Sequence, residues 1–152
     1  MTARMKNPAL ILTDAMTGIG HLYKAMHSGG APQATLELVH LRASQINGCS
    51  ACVSAGTESA RKAGVADEKL FQLAAWAESD LYDDGERAAL ALTEAATRLA
   101  DRSVPVPDHI WDAVADHYDE AALSAIILMI ATTNMFNRIN TIVREPAGAT
   151  WS

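Results

Sequence analysis

Two cysteines in 152 residues, with no second Cys pair and no closely spaced His pair, leave too few ligands for a four-coordinate structural zinc site. Aromatic residues are scarce at 5%, so a core has to be packed from Ala, Leu, Ile, Val and Met, small side chains that suit closely approaching helices. Basic residues are in deficit: 12 Lys and Arg against 18 Asp and Glu give a formal net charge of −6. Without a surplus to neutralise phosphates, nucleic acid is not expected as a partner. Long apolar runs are missing too. The run from Ala121 to Ala131, interrupted by Ser124, falls short of the about 20 residues needed to cross a bilayer, so no membrane is expected and the run reads as a buried helix. The first residues carry Arg4 and Lys6 but no apolar stretch with a small-residue cleavage site. No secretory signal is read there, and the expected compartment is the cytoplasm. Alternating strand patterns bounded by turn residues are also absent, which argues against the βαβ context of a thioredoxin-type protein.

What is present is helical periodicity, in a chain whose residues 1–152 have the size of a single domain. A first helix is expected from Pro8 through Leu12, Met16, Ile19 and Met26 to the break at Ser28-Gly29-Gly30, and a second from Pro32 to Asn47. The third should run from Cys49 to Lys62, stopped by Gly64 after a basic last turn. A fourth begins near Asp67, which is expected to cap it. The fifth covers Asp84 to Asp101, with Asp83, Asp84 and Glu86 as a solvated start. A short helix over Asp108 to His117 and a long one from Asp119 or Glu120 to Arg144 follow, with a loose tail from Pro146. The fold class is therefore all-α, a bundle of about six to seven helices. The long helix is apolar on nearly all sides, more than so small a domain readily buries, so a homo-oligomer is expected.

The chemistry points to Ser44-Gln45-Ile46-Asn47-Gly48-Cys49-Ser50-Ala51-Cys52. Asn47-Gly48 breaks one helix, and the next opens with both cysteines in its first turn. Unpaired N–H groups and the helix dipole favour negative charge there, which stabilises a thiolate. Side chains three apart on a helix lie close enough for a small adjustment to close a disulfide. Cys49 and Cys52 are thus expected to cycle between dithiol and disulfide; two buried, unreactive thiols are the plain alternative.

Glu37, eleven intervening residues, Cys49-Ser50-Ala51-Cys52 and then Ser59-Ala60-Arg61-Lys62-Ala63-Gly64 resemble the alkylhydroperoxidase D-like branch of the carboxymuconolactone decarboxylase family. Glu86 to Glu94 and Asn134 to Arg138 are similar in style to other helices of that family. The resemblance implies an AhpD-like helical fold, assembly as a homotrimer or hexamer, and peroxide reduction at the cysteine pair with no bound cofactor. Cys52 would attack the peroxide and become a sulfenic acid, and Cys49 would condense with it to a disulfide. An external dithiol reductant, lipoamide-like or thioredoxin-like, would reset the pair by exchange at Cys49, expected to be the more accessible sulfur. Helix-end physics alone equally allows Cys49 as the first nucleophile. In the family, a glutamate at the place of Glu37 and a histidine four residues after the second cysteine move protons. Here that second position is Gly56, so the relay has a gap. Glu37 should lie roughly 9 Å along the helix axis from Cys52, too far for direct transfer. His40, one turn nearer the cysteines, is the candidate to bridge it, with a packing histidine as the alternative. If an imidazole were lacking altogether, Gly56→His should raise turnover. The competing functions are a CxxC redox sensor or disulfide exchanger, and a carboxymuconolactone decarboxylase-type enzyme, against which the cysteine pair argues.

Overall fold

The computed structural model describes residues 2–100 and 102–149. Its helices are α1 (Pro8–Ile11), α2 (Thr13–Ser28), α3 (Gln33–Asn47), α4 (Ser50–Lys62), α5 (Asp67–Gln72), α6 (Asp84–Thr97), α7 (Asp108–Ala115) and α8 (Glu120–Val143). A 3-10 segment, Leu73–Glu78, continues α5. Among the described residues there is no strand, and the chain is all-α as the periodicity predicts.

Several boundaries differ from expectation, each for a local reason. The helix expected from Pro8 is broken at Leu12, whose backbone is extended (φ −97°, ψ 95°). The Asn7 side chain accepts the Ala9 N–H and donates to Asn140 of α8, so the first turn is held by α8 while α2 starts in its own direction. That break makes eight α-helices among the described residues where six to seven are expected. Asp67 does not cap α5; it is the helix's first residue and pairs with Arg61 at 2.7 Å. The start of α6 is more than a solvated acidic turn. Asp83 and Glu86 form a capping box, and buried Glu86 receives both 2.6 Å bonds of Lys69 Nζ. α6 ends at Thr97, ahead of the expected Asp101, which lies outside the described residues. Beyond α8 the chain is a turn rather than a loose tail: the Ala149 N–H donates to the Pro146 carbonyl.

α3 is the hub. Leu36 and Val39 face a core shared with α2, α6, α7 and α8, while Leu38 and Leu41 face a second one shared with α4, α5 and the 3-10 segment. Small residues bring helices close, as the low aromatic content requires. A Cβ at Gly29 would stand 2.8 Å from the Ala125 Cβ and 2.9 Å from the Ala121 carbonyl oxygen, so the end of α2 meets α8 almost backbone to backbone. By length and composition α8 could cross a membrane, but in this fold it packs along α3 and α2, and Ile126, Met129, Ile130 and Val143 are buried. Its outer face leaves Ile127, Met135 and Ile142 exposed.

Candidate active site

α3 stops at Asn47 because Gly48 takes a left-handed conformation (φ 66°) that a side chain would strain. The chain then reverses into α4. Cys49 is the N-cap residue of α4, and its sulfur accepts the Cys52 N–H at 3.3 Å. Cys49 and Cys52 are joined by a disulfide with Cα atoms 5.3 Å apart, the separation across one helical turn that the spacing predicts. Both sulfurs sit at the N-terminal turn of α4, where the helix end favours a thiolate once the bond is reduced.

The two sulfurs have different surroundings. Cys52 borders a cavity of about 360 Å³ walled by α2, α3, α4 and α8, with His40, Tyr23, Ala55, Thr133 and Phe136 among its lining. Cys49 faces a smaller hollow of about 230 Å³ bounded by Ser50, Thr141 and Arg144. The expectation that Cys49 is the more accessible is not met: the residues are 3% and 5% exposed respectively. What separates them is the cavity each borders, because the disulfide sits in the wall between two openings.

His40 fills the gap left at Gly56. A Cβ at Gly56 would stand 3.4 Å from Cδ2 and Nε2 of the His40 ring, in van der Waals contact, so the imidazole from α3 lies directly against α4 where any longer side chain at position 56 would have to go. Burial pushes the His40 pKa down to about 4, opposed by a hydrogen bond to the Cys52 backbone. Since that bond favours the cation, the ring is the donor and the carbonyl the acceptor. The ring is therefore neutral at pH 7, donating from one nitrogen and carrying a lone pair on the other.

Glu37 is buried but does not line the cavity. Burial raises its pKa, partly offset by a 2.6 Å hydrogen bond from Gln33 Nε2 and by the charge of His27. Tyr23, stacked on His27, lines the cavity. Its pKa is raised by burial and further by the Glu37 charge. The structure thus brings Cys49, Cys52 and His40 together and holds Glu37 apart, with Tyr23 the group that touches both the cavity and the field of Glu37.

Sequence reasoning missed Tyr23, Thr133 and Asn140. Asn140 Nδ2 donates to Cys52 Sγ at 3.3 Å and is oriented by Asn7, whose Nδ2 donates to Asn140 Oδ1 at 3.0 Å. A signal was there: Asn134, Asn137 and Asn140 recur every three residues in the second half of the helix, which is one amide stripe on one face. Asn137 donates to Ser44, and Asn47 donates to Asn134 and Asn137, so the stripe ties α8 to the end of α3 just before the cysteines. Among the described residues no group of three or more His, Cys, Asp or Glu side chains could hold a metal.

Residues 13–95 match the model of the carboxymuconolactone decarboxylase family. The uncharacterized protein YdfG of Bacillus subtilis (strain 168) is 39% identical over 108 residues, 71% of this chain and 72% of that protein. The uncharacterized protein YnjA of Escherichia coli (strain K12) is 31% identical over 110 residues, 72% of this chain and 59% of that protein. Among solved structures, a protein of unknown function from Agrobacterium tumefaciens, whose suggested role is the antioxidant defence protein AhpD, superposes with a TM-score of 0.87 at 28% identity, covering 98% of this chain and all of that one. The debrominase Bmp8 superposes with a TM-score of 0.78 at 26% identity over 90% of this chain and 73% of its own.

Proposed function

Because the chain belongs to the carboxymuconolactone decarboxylase family and has the AhpD-like fold, we propose that it is a thiol-dependent peroxidase whose Cys49–Cys52 pair reduces organic hydroperoxides. The observation that carries this reading is the placement of Cys52 at the wall of an open, largely apolar cavity beside a neutral imidazole, with Cys49 one turn away and bordering a different hollow.

In the reduced enzyme the His40 lone pair accepts the Cys52 thiol proton, and Asn140 Nδ2 donates to the resulting thiolate. The thiolate attacks the peroxide O–O bond; one oxygen stays on sulfur as a sulfenic acid, and the other leaves as alkoxide, takes the proton from His40 and departs as alcohol. Cys49 then attacks Cys52 Sγ, water leaves and the disulfide forms. An external dithiol returns the two electrons by exchange at Cys49. Glu37, communicating through Tyr23, tunes the cavity's proton supply without touching the sulfur. The exposed Ile127, Met135 and Ile142 on α8 support the expectation of a homo-oligomer.

The test is peroxide consumption by the reduced protein with dihydrolipoamide as donor. Turnover should be lost in both Cys49→Ser and Cys52→Ser, and the first should accumulate a dimedone-reactive sulfenic acid at Cys52. Disulfide formation without turnover would move the protein to a redox sensor or exchanger. A second reading is reductive debromination, favoured by the structural likeness to a debrominase. The same dithiol would supply two electrons, bromide would leave, and C–Br would become C–H. A bromopyrrole belongs in the same panel, and its conversion in place of hydroperoxides would select that reading.

A further inference from the structure

Thr133 stands out among the polar side chains of the cavity. It is 2% exposed, it lines the wall, and its hydroxyl is the buried side-chain polar atom without a hydrogen-bond partner among the described residues. Helical threonines ordinarily bond back to the carbonyl four residues earlier. Thr17, Thr57 and Thr93 do so here, the last two at 2.8 and 2.7 Å. Thr133 does not. An unpaired hydroxyl is costly in a buried setting and easily avoided by valine of the same shape. The walls around it are apolar: Met16 and Ile19 from α2, Ala55 from α4 and Phe136 from α8. The Glu145 carboxylate also borders the cavity and disfavours an anionic occupant.

Building on the peroxidase reading, we propose that Thr133 is the substrate-binding residue of this cavity, donating its hydroxyl hydrogen to an oxygen of an uncharged, apolar-tailed hydroperoxide while Cys52 attacks the O–O bond. A volume of about 360 Å³ holds a small aryl or branched alkyl group, which hydrogen peroxide leaves unused. The apolar walls bind the tail, Thr133 orients the head, and Glu145 excludes substrates carrying a carboxylate of their own.

Two measurements separate this inference from the function beneath it. In turnover with dihydrolipoamide, kcat/KM for cumene hydroperoxide should exceed that for hydrogen peroxide, fall about tenfold in Thr133→Val and recover in Thr133→Ser. The iodoacetamide reaction rate of Cys52, in reduced Cys49→Ser protein, should be the same with Thr, Val or Ser at position 133. The thermal midpoint of Thr133→Val should be no lower than wild type, since the hydroxyl bonds nothing in the protein. In the second measurement, which needs no turnover, the uncharged product alcohol 2-phenylpropan-2-ol is titrated into Cys52→Ser by NMR. It should bind there, and about tenfold more weakly once Thr133→Val is added. Binding of the alcohol that weakens in Thr133→Val, without peroxide turnover, would sink the peroxidase and leave Thr133 as the binding residue of the cavity, whereas binding unchanged by Thr133→Val would overturn the inference. Turnover with equal kcat/KM in wild type and Thr133→Val would overturn the inference and leave the peroxidase intact. A Thr133→Val protein with slowed alkylation of Cys52 would also overturn it, by showing that Thr133 acts through the cysteine.

Discussion

The buried, neutral imidazole makes the stability of this protein pH-dependent in a calculable way. His40 is displaced from 6.5 to about 4 by its enclosure. The folded state therefore refuses a proton that the unfolded chain accepts. The sign follows: stability is present above pH 6.5 and lost as pH falls toward 4, because the unfolded state binds the extra proton in that window. The whole displacement is worth about 3 kcal/mol, of which about 1.4 kcal/mol should be lost by pH 5.5 and about 2.5 kcal/mol by pH 4.5. His40→Gln keeps an amide donor for the Cys52 carbonyl and removes the titration. Urea unfolding of the oxidised proteins, followed by circular dichroism between pH 7.5 and 4.5, isolates the effect, since the carboxylates common to both proteins cancel in the difference. The wild type should lose stability relative to the variant by those amounts, with unchanged m-values. Parallel pH curves would refute the argument and show His40 to be solvated rather than enclosed.

Three further outcomes follow from other contacts. Asn140→Ala removes the donor to Cys52 Sγ, and in a reduced Cys49→Ser background the pH midpoint of Cys52 alkylation should rise by about one unit, as expected for a hydrogen bond to a charged acceptor. Glu37→Gln abolishes a buried carboxylate whose raised pKa makes ionisation costly in the folded state, so its unfolding midpoint should exceed wild type at pH 7.5 and the advantage should shrink at acidic pH. Gly29→Ala puts a Cβ 2.8 Å from that of Ala125 and should cost about 1–3 kcal/mol in urea unfolding, because backbone lies on both sides of the contact.

The helical plan was legible because its signals are local. Gly48 and Gly64 stop helices through their own backbone geometry, and apolar residues at helical spacing mark which faces are covered. The break at Leu12 was hidden because its cause is remote: Asn7 is held by Asn140, 133 residues away in the chain. Likewise Asp67 has the composition of a cap, but a neighbouring Arg61 competes for it, and only the fold decides which wins. Within the site, Cys49 and Cys52 were legible from spacing, and His40 from its place one turn beyond Glu37. Tyr23, Thr133 and Asn140 come from α2 and α8, and nothing local to any of them says that they converge on the same cavity. Thr133 is the extreme case, since its significance lies in a bond it does not make.

The pairing of Gly56 with His40 changes what the gap in the motif means. Had the chain merely lost an imidazole, space would stand open beside α4, and Gly56→His would raise turnover. That space is taken: the His40 ring lies 3.4 Å from where a Gly56 Cβ would be. On the peroxidase reading, the His40 imidazole from α3 takes the part of the one the family resemblance expects on α4, and it packs directly over Gly56. A histidine at position 56 must then displace His40 instead of adding to it. The expected order of peroxide turnover is wild type at the top, Gly56→His at or below it, and His40→Ala lower by about 100-fold, the usual contribution of a positioned acid-base group. The double variant His40→Ala/Gly56→His should recover at least tenfold over His40→Ala, because removing one ring opens the space for the other. Turnover in Gly56→His above wild type would sink the exchange argument, since it would mean that two imidazoles fit where the packing allows one.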